Sequence, residues 1–292
     1  MEESSLAPGV ELYLKLEHLQ HTGSFKFRGA SHKVALLTPE QAEAGVIAAS
    51  NGNHGLGVAA AARARGIRAE VYVSSQVSPA KARRIEALGA RIRYCGQDPL
   101  AAELAARRAA EESGQVFISP YNDADVIAGQ GTIAVELARQ IPQPIDAVFV
   151  AVGGGGLIGG MGAYLKAVSP ATRMVGCWPV NSPVLHECML AGRVVDVPES
   201  PTVSESTSGG LEPGSITVDL CRQVMDAPSF VDEEQILSAM RLMLQAEHWV
   251  IEGAAGVALA CFLREAERYQ GKRVVVVICG RNISPEVWRQ VV

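Results

Sequence analysis

Lys26 stands between two phenylalanines in Thr22-Gly23-Ser24-Phe25-Lys26-Phe27-Arg28-Gly29-Ala30. Aromatic neighbours withdraw water from an ammonium group. A desolvated lysine gives up its proton more readily and becomes a nucleophile. That is the state an amine needs to form a Schiff base with an aldehyde. The same segment also accommodates a lysine that lays its stem along the rings and keeps its head in water, so taken alone it leaves both readings open.

Three further segments have residue types that suit binding chemistry. Ala49-Ser50-Asn51-Gly52-Asn53-His54-Gly55 follows a short apolar run and precedes an Ala-rich helical stretch. A strand, turn and helix in series present backbone N–H groups and short polar side chains at a helix N-terminus, a site for an anion such as a carboxylate. An ordinary cap needs one Ser or Asn, not Ser-Asn-Gly-Asn-His in sequence. Val152-Gly153-Gly154-Gly155-Gly156-Leu157 holds four consecutive glycines, which are costly in conformational entropy. They suit backbone amides that close around a phosphate, whereas a tight turn needs only one or two. The segment matches neither G-x-G-x-x-G nor G-x-x-x-x-G-K-S/T, so a phosphate monoester fits better than a dinucleotide or a nucleoside triphosphate. Ile278-Cys279-Gly280-Arg281-Asn282 ends the very apolar run 273–278. Such a strand is central, and ligands sit at its C-terminal end in open α/β sheets. Cys279 alone is more often inert core. Together, a nucleophilic lysine, a carboxylate loop and a phosphate cradle point to an aldehyde cofactor bearing a phosphate, which pyridoxal 5'-phosphate matches.

The rest of the chain must position these groups. Its 292 residues are 48% hydrophobic and carry a net charge of −5. That length suggests about two domains. The charge favours no polyanion partner, and nucleic-acid binding is not expected. Six cysteines, at 95, 177, 188, 221, 261 and 279, form no C-x-x-C pair and read as reduced thiols of a cytoplasmic protein. The acidic start Met1-Glu2-Glu3 does not resemble a signal peptide. The longest uncharged run, 147–165, contains seven glycines and reads as strand, loop and helix, not a membrane span.

Strands are expected at 12–16, 45–49, 69–73, 91–94, 116–118, 147–152, 173–177 and 273–278. Helices are expected at 56–65, 79–88, 100–113, 131–140, 232–245 and 256–269. This alternation argues for an α/β fold with parallel sheets covered on both faces. No linker is visible, so a small domain, 45–122, is expected to be inserted in a large one, 1–44 and 123–292.

Six segments carry a resemblance. They are K-L-E-H-L-Q-H-T-G-S-F-K-F-R-G-A (15–30), S-N-G-N-H-G (50–55), V-I-A-G-Q-G-T (126–132), G-G-G-G-L (153–157), I-E-G-A-A-G (251–256) and C-G-R-N (279–282). In this order the chain resembles the fold-type II pyridoxal-phosphate enzymes of the serine/threonine dehydratase and serine racemase family. The resemblance implies two three-layer αβα domains with mostly parallel sheets, a tryptophan synthase β-like architecture. It implies that Lys26, beside Phe25, carries the Schiff base and removes the α-proton. Asn53 would hydrogen-bond the cofactor's 3′-oxygen. Gly153, Gly154, Gly155, Gly156 and Leu157 would hold the phosphate, Cys279 would meet the pyridine nitrogen, and Glu252 would lie nearby. Ser50, Asn51 and Gly52, with His54, would bind the substrate carboxylate, and Tyr121 would line the substrate pocket.

A neutral thiol does not keep the ring nitrogen protonated as a carboxylate would. The cofactor is then a milder electron sink, suited to β-elimination. The implied reaction is α-proton removal, loss of the β-hydroxyl, release of an enamine and hydrolysis to a 2-oxo acid and ammonia, with L-threonine or L-serine as substrate. Alternatives are an amino-acid racemase, a β-replacement synthase and an idle pyridoxal-phosphate-binding protein.

The chain also departs from the family pattern. Asn51 stands where racemase relatives carry a proton-transferring serine, which disfavours a racemase. Trp178 stands where cation-binding relatives carry glutamate, so no metal is expected. Ser204-Glu205-Ser206 replaces A-D-G, and Gly280-Arg281-Asn282 replaces G-G-N. These changes resemble a branch that includes hydroxyectoine-utilisation dehydratases and 3-hydroxyaspartate-type ammonia-lyases. They bring 3-hydroxyaspartate, phenylserine and a hydroxyectoine-derived amino acid into range. Arg281 either holds a second carboxylate or points away. Relatives carry a longer segment before the lysine, so a truncated start that lowers activity is expected, as is the lack of a regulatory domain after C-G-R-N. The expected partners are a small amino-acid substrate and a second copy of the chain, with no membrane.

Overall fold

The computed structural model describes residues 1–97 and 99–292. The strands are β1 (Glu2–Ser4), β2 (Glu11–Lys15), β3 (Val46–Ala49), β4 (Ala69–Val73), β5 (Arg91–Tyr94), β6 (Val116–Phe117), β7 (Ala147–Ala151), β8 (Arg173–Pro179), β9 (Ala227–Val231) and β10 (Arg273–Val277). The helices are α1 (Lys26–Ala35), α2 (Pro39–Ala44), α3 (Asn53–Ala64), α4 (Pro79–Glu86), α5 (Pro99–Ser113) and α6 (Ala124–Gln140). They continue as α7 (Gly156–Val168), α8 (Val184–Ala191), α9 (Thr217–Val224), α10 (Glu233–Glu247), α11 (Gly253–Glu265) and α12 (Pro285–Val291).

One sheet has the order β1-β2-β10-β7-β8-β9 and is parallel except where β1 joins β2. The other, β5-β4-β3-β6, is parallel throughout. Helices cover the strands, the α/β arrangement expected from the alternation. In β10, Val274 to Val277 are fully buried between β2 and β7. Buried parallel strands read as continuous apolar runs, which is why this one is plain in the sequence. In the smaller sheet Val46 and Ala48 pack into one core, while Ile47 and Ala49 pack with Ala106 and Ala110 of α5. Alternate residues of a strand face opposite ways, so helices bury both faces. The first of these cores also takes in Ala30 and Val34 of α1 and Val126 of α6, from either side of 45–122.

Two strands lie outside the expected set. β1 is polar and shows no apolar alternation. β9 contains Pro228, which a sheet tolerates at an edge, and β9 is an edge strand. Its pairing extends β8 past 177, with Trp178 opposite Phe230. The two rings stack at 5.8 Å, and Trp178 is fully buried.

α6 begins seven residues before its expected start, capped by Asp123, whose carboxylate accepts from the N–H groups of Asp125 and Val126. Gly129 and Gly131 look like helix breakers in the sequence. Here they let helices cross closely: a Cβ at Gly129 would lie 2.7 Å from Gly29 Cα of α1, and one at Gly131 2.8 Å from Gly160 O of α7. The segment 126–132 is therefore a packing seam. α1, also unexpected, is held by Arg28, which donates to Glu17 Oε2 at 2.7 Å and Glu136 Oε1 at 2.6 Å. Lys15 bonds the same Glu136. α2, α8, α9 and α12 complete the helices missed. No described helix is long and apolar enough to cross a membrane. The chain leaves β3, β7 and β10 at their C-terminal ends directly into the three loops singled out above.

Candidate active site

Lys26 opens α1, and the loop after β10 aligns it. Ser24 and Gly280 form a single antiparallel bridge, and Phe25 N–H donates to Cys279 O at 3.0 Å. Lys26 Nζ donates to Pro120 O at 2.7 Å and sits 5.2 Å from the Phe25 ring centroid. Burial lowers its pKa to about 8, against opposing fields from Glu103, Cys279 and Glu252. Only one of the two phenylalanines contributes. Successive helical side chains diverge by about 100°, and Phe27 packs instead against His21 at 5.1 Å. The expectation of two aromatic flanks is corrected to one.

Two cavities meet at this lysine. The larger, about 430 Å³, is lined by Ser50, Asn51, Gly52, Asn53, His54, Tyr121 and Glu252, and its size suits a small ligand. The smaller, about 50 Å³, is lined by Phe25, Gly153, Gly154, Gly155, Gly156, Leu157 and Cys279. Lys26, Asn53, Tyr121, Gly153 and Gly154 border both. Arg281 borders neither: it is exposed, and its N–H is held by Gly23 O at 2.9 Å. The Ser24–Gly280 bridge sends Arg281 outward and Asn282 inward, so of the two readings of Arg281 the geometry matches the one in which it points away.

The glycine turn fits a phosphate. Gly155 has φ 84°, in the left-handed region, and precedes α7 with no side-chain cap, so the first amides of that helix are left for a ligand. A Cβ at Gly154 would lie 2.4 Å from Tyr121 Cγ. Cys279 is 3% exposed, and burial, then the charge of Glu252, raises its thiol well above the ordinary value. The smaller cavity thus combines an amine, an uncapped glycine turn and an uncharged thiol. These are the partners that the aldehyde, phosphate and ring nitrogen of pyridoxal phosphate require.

The loop after β3 is not an ordinary cap. Gly52 holds the cap position of α3 with no side-chain bond, and Ser50 Oγ accepts from Gly52 N–H at 3.1 Å. Asn51 Nδ2 donates to Ser74 Oγ, and Asn51 Oδ1 accepts from Ser74 N–H, both at 2.8 Å. Asn53 Nδ2 donates to Glu252 Oε1 and Oε2 at 2.9 and 3.0 Å, and Asn53 Oδ1 accepts from Asn282 Nδ2 at 2.6 Å. His54 is 2% exposed, and its Nε2 lies 2.8 Å from Ile118 O, so Nε2 carries the proton. Burial, then Lys26, lowers its pKa to about 3. His54 is therefore a neutral wall.

The structure adds residues that the sequence reading left unassigned. Ser206 Oγ at 2.6 Å and Asn282 N–H at 2.9 Å both donate to Glu252. Both lie in segments already noted as departures. At the mouth, Lys81 pairs with Glu205 at 2.6 Å and Arg84 donates to Asn282 Oδ1 at 2.8 Å. Glu103, in an Ala-rich helix, gives no signal in the sequence. It lines the larger cavity at 7% exposure, and burial followed by Glu212 raises its pKa to about 7. Among the described residues no group of three or more His, Cys, Asp or Glu is placed to hold a metal ion.

Comparison with known proteins finds relatives along nearly the whole chain. The family described as pyridoxal-phosphate dependent enzyme matches residues 2–280. The L-threonine ammonia-lyase of Thermotoga maritima is 39% identical over 276 residues, 94% of this chain and 68% of that protein. The processed form of threonine deaminase isoform 2 from Solanum lycopersicum aligns with a TM-score of 0.91 at 30% identity, over 97% of this chain and 82% of the other. Maize serine racemase aligns with a TM-score of 0.88 at 29% identity, over 97% and 86%.

Proposed function

The chain belongs to the pyridoxal-phosphate dependent enzyme family, and from that premise we propose that it is an ammonia-lyase. It removes water and ammonia from L-threonine or L-serine and leaves a 2-oxo acid. The observation that carries this reading is the joint presence, on one cavity wall, of an amine brought toward neutrality, Lys26, and a thiol kept uncharged, Cys279.

Pyridoxal phosphate, when bound, supplies an aldehyde that takes up amines and a ring that withdraws electrons from the α-carbon. Gly153 to Gly156 and Leu157 would hold its phosphate, Asn53 its 3′-oxygen and Cys279 its ring nitrogen. An uncharged thiol leaves that withdrawal moderate, which suits a leaving group already in place at Cβ. Lys26 Nζ is the base for the α-proton, and its pKa of about 8 is close to the value at which a general base works best. Ser50, Asn51 and Gly52, with the first amides of α3, would receive the substrate carboxylate.

The cavity supports an uncharged substituent at Cβ. Arg281 lies outside it, and the cations at its mouth, Lys81 and Arg84, are engaged by Glu205 and Asn282. This favours L-threonine and L-serine over 3-hydroxyaspartate. Asn51 has no acid–base capacity and both ends of its amide are bonded to Ser74, which favours elimination over racemisation. The same reading takes 45–122 as an inserted unit with the site in its cleft, and a cytoplasmic homodimer as the working state.

The test is a panel of L-serine, L-threonine, 3-hydroxyaspartate and phenylserine, scored for oxo acid and ammonia. L-threonine and L-serine are expected to be turned over fastest. Racemisation of serine without ammonia release overturns the reading. Persistence in Lys26→Ala of the absorbance of lysine-linked cofactor removes the lysine assignment.

A further inference from the structure

We propose that Glu103 is the acid that protonates the departing β-hydroxyl of the substrate. This deepens the ammonia-lyase reading and rests on it.

Glu103 and Arg107 lie four residues apart on α5 and so share a face. Arg107 does not serve Glu103. It pairs with Glu212 at 2.7 Å, and its guanidinium lies 4.6 Å from the Phe117 ring centroid. Among the described residues Glu103 has no ion pair within 4.0 Å, and its Oε1 is buried with no hydrogen-bond partner. The charged and titratable groups that act on it are Arg107 on its own helix, Lys26 of α1, and Glu212 and Tyr121 from the loops opposite. Burial and Glu212 push its pKa up to about 7, while Arg107 and Lys26 oppose. A buried carboxyl without a counter-ion favours its neutral acid form. Glu103 lines the larger cavity and among the described residues neither of its oxygens has a hydrogen-bond partner in the protein, so a neutral acid there has its proton free for a ligand.

The reaction needs such a group. Hydroxide is a poor leaving group, and Lys26 is occupied with the α-proton. The other groups around the cavity are committed. Tyr121 Oη accepts from Glu212 N–H at 2.8 Å, and burial raises its pKa, which makes its O–H a weaker acid than the Glu103 carboxyl. His54 Nε2 is held by Ile118 O, and Cys279 lines the other cavity. In the proposed step the Cα–H bond breaks toward Lys26 Nζ and its electron pair forms Cα=Cβ. The Cβ–O bond breaks, and the oxygen leaves with the Cβ–O electron pair and takes the Glu103 proton to become water. Lys26 is left protonated and Glu103 ionised, and return of one proton between them through water restores both. No oxidant or reductant is needed.

The test compares two leaving groups in the holoenzyme. Chloride leaves without a proton, so β-chloro-L-alanine bypasses an acid that L-serine requires. In Glu103→Gln, kcat/KM for L-serine is expected to fall ~100-fold or more. For β-chloro-L-alanine it is expected to stay within about threefold, because that step needs no general acid. Pyridoxal phosphate binding, titrated by absorbance, is expected to be unchanged. Glu103→Asp, which keeps an acid, is expected to recover part of the L-serine rate and carries the test if Glu103→Gln binds cofactor poorly. Equal losses on both substrates, an undiminished L-serine rate, or an Asp variant no better than the Gln variant each overturn the proposal. A wild-type enzyme that acts on β-chloro-L-alanine but on no hydroxy amino acid overturns the ammonia-lyase reading itself, and the proposal with it.

Discussion

The backbone N–H of Phe25 donates to the carbonyl oxygen of Cys279 at 3.0 Å. One bond thus ties the residue before the lysine to the thiol that shares its cavity. The start of α1 cannot shift without moving the end of β10. The backbone positions that carry the two groups assigned the reactive carbon and the ring nitrogen therefore keep their spacing.

Cys279→Ser preserves an uncharged hydrogen-bonding group at that end. It is expected to bind cofactor and hold the lyase rate within about threefold, since no charge is introduced. Cys279→Asp puts a carboxyl into a site that is 3% exposed and already feels Glu252. It is expected to lower stability by about 1–3 kcal/mol, read as a fall in Tm, with a lower oxo-acid yield.

Gly154→Ala places a methyl 2.4 Å from Tyr121 Cγ. Overpacking of this kind costs about 1–3 kcal/mol. The displaced turn is expected to weaken pyridoxal phosphate binding ~10-fold, by the usual conversion of 1.4 kcal/mol per decade, in a fluorescence titration.

Glu252→Ala leaves Asn53 Nδ2, Ser206 Oγ and the Asn282 N–H without their acceptor. An unpaired donor costs about 1–3 kcal/mol when fully buried; these three bonds are part-buried and each costs less, but all three are lost together. A loss of about 2 kcal/mol or more is expected in urea unfolding of the apo chain, with Glu252→Gln in between because its carbonyl still accepts.

Lys26 has a folded-state pKa of about 8, below its ordinary value of 10.5. Between these values the unfolded chain binds the extra proton, so stability rises with pH across that window and the penalty is fully present below it. Lys26→Met is therefore expected to make the apo chain more stable than wild type at pH 7. The gain is roughly 1 kcal/mol per unit of depression, and it vanishes above pH 10.5. A difference that does not change with pH in paired urea titrations excludes this account.

Arg281→Ala is expected to change stability by less than about 0.5 kcal/mol, as exposed substitutions do. It is expected to leave kcat/KM nearly unchanged on every substrate of the panel. A selective loss on 3-hydroxyaspartate places that side chain at the substrate after all.

The three loops are legible in the sequence because each follows a buried strand whose apolar run is continuous, and because glycines and amides in series have few structural uses. Orientation is less legible. Whether Arg281 or Asn282 faces inward depends on a bridge between Ser24 and Gly280, and a shift of one residue reverses the two. Long-range partners are hidden for a related reason: Ser206 and Asn282 reach Glu252 from 46 and 30 residues away. Glu103 looks like one of many solvated charges on an Ala-rich helix until α5 is laid over the cavity. β9 hides behind Pro228, and the first turns of α6 behind glycines that serve a helix crossing.

Tyr121 is a wall common to both cavities: its ring fills the space over Gly154, and its hydroxyl holds the Glu212 backbone. A lineage that trims this ring to admit a bulkier amino acid also slackens the turn beneath it and disturbs Glu212, whose charge adds to burial in raising the Glu103 pKa. Substrate range and cofactor retention are therefore inherited together at position 121. Divergence toward new substrates has an easier route through Leu100, Val203 and Leu211, which border only the larger cavity.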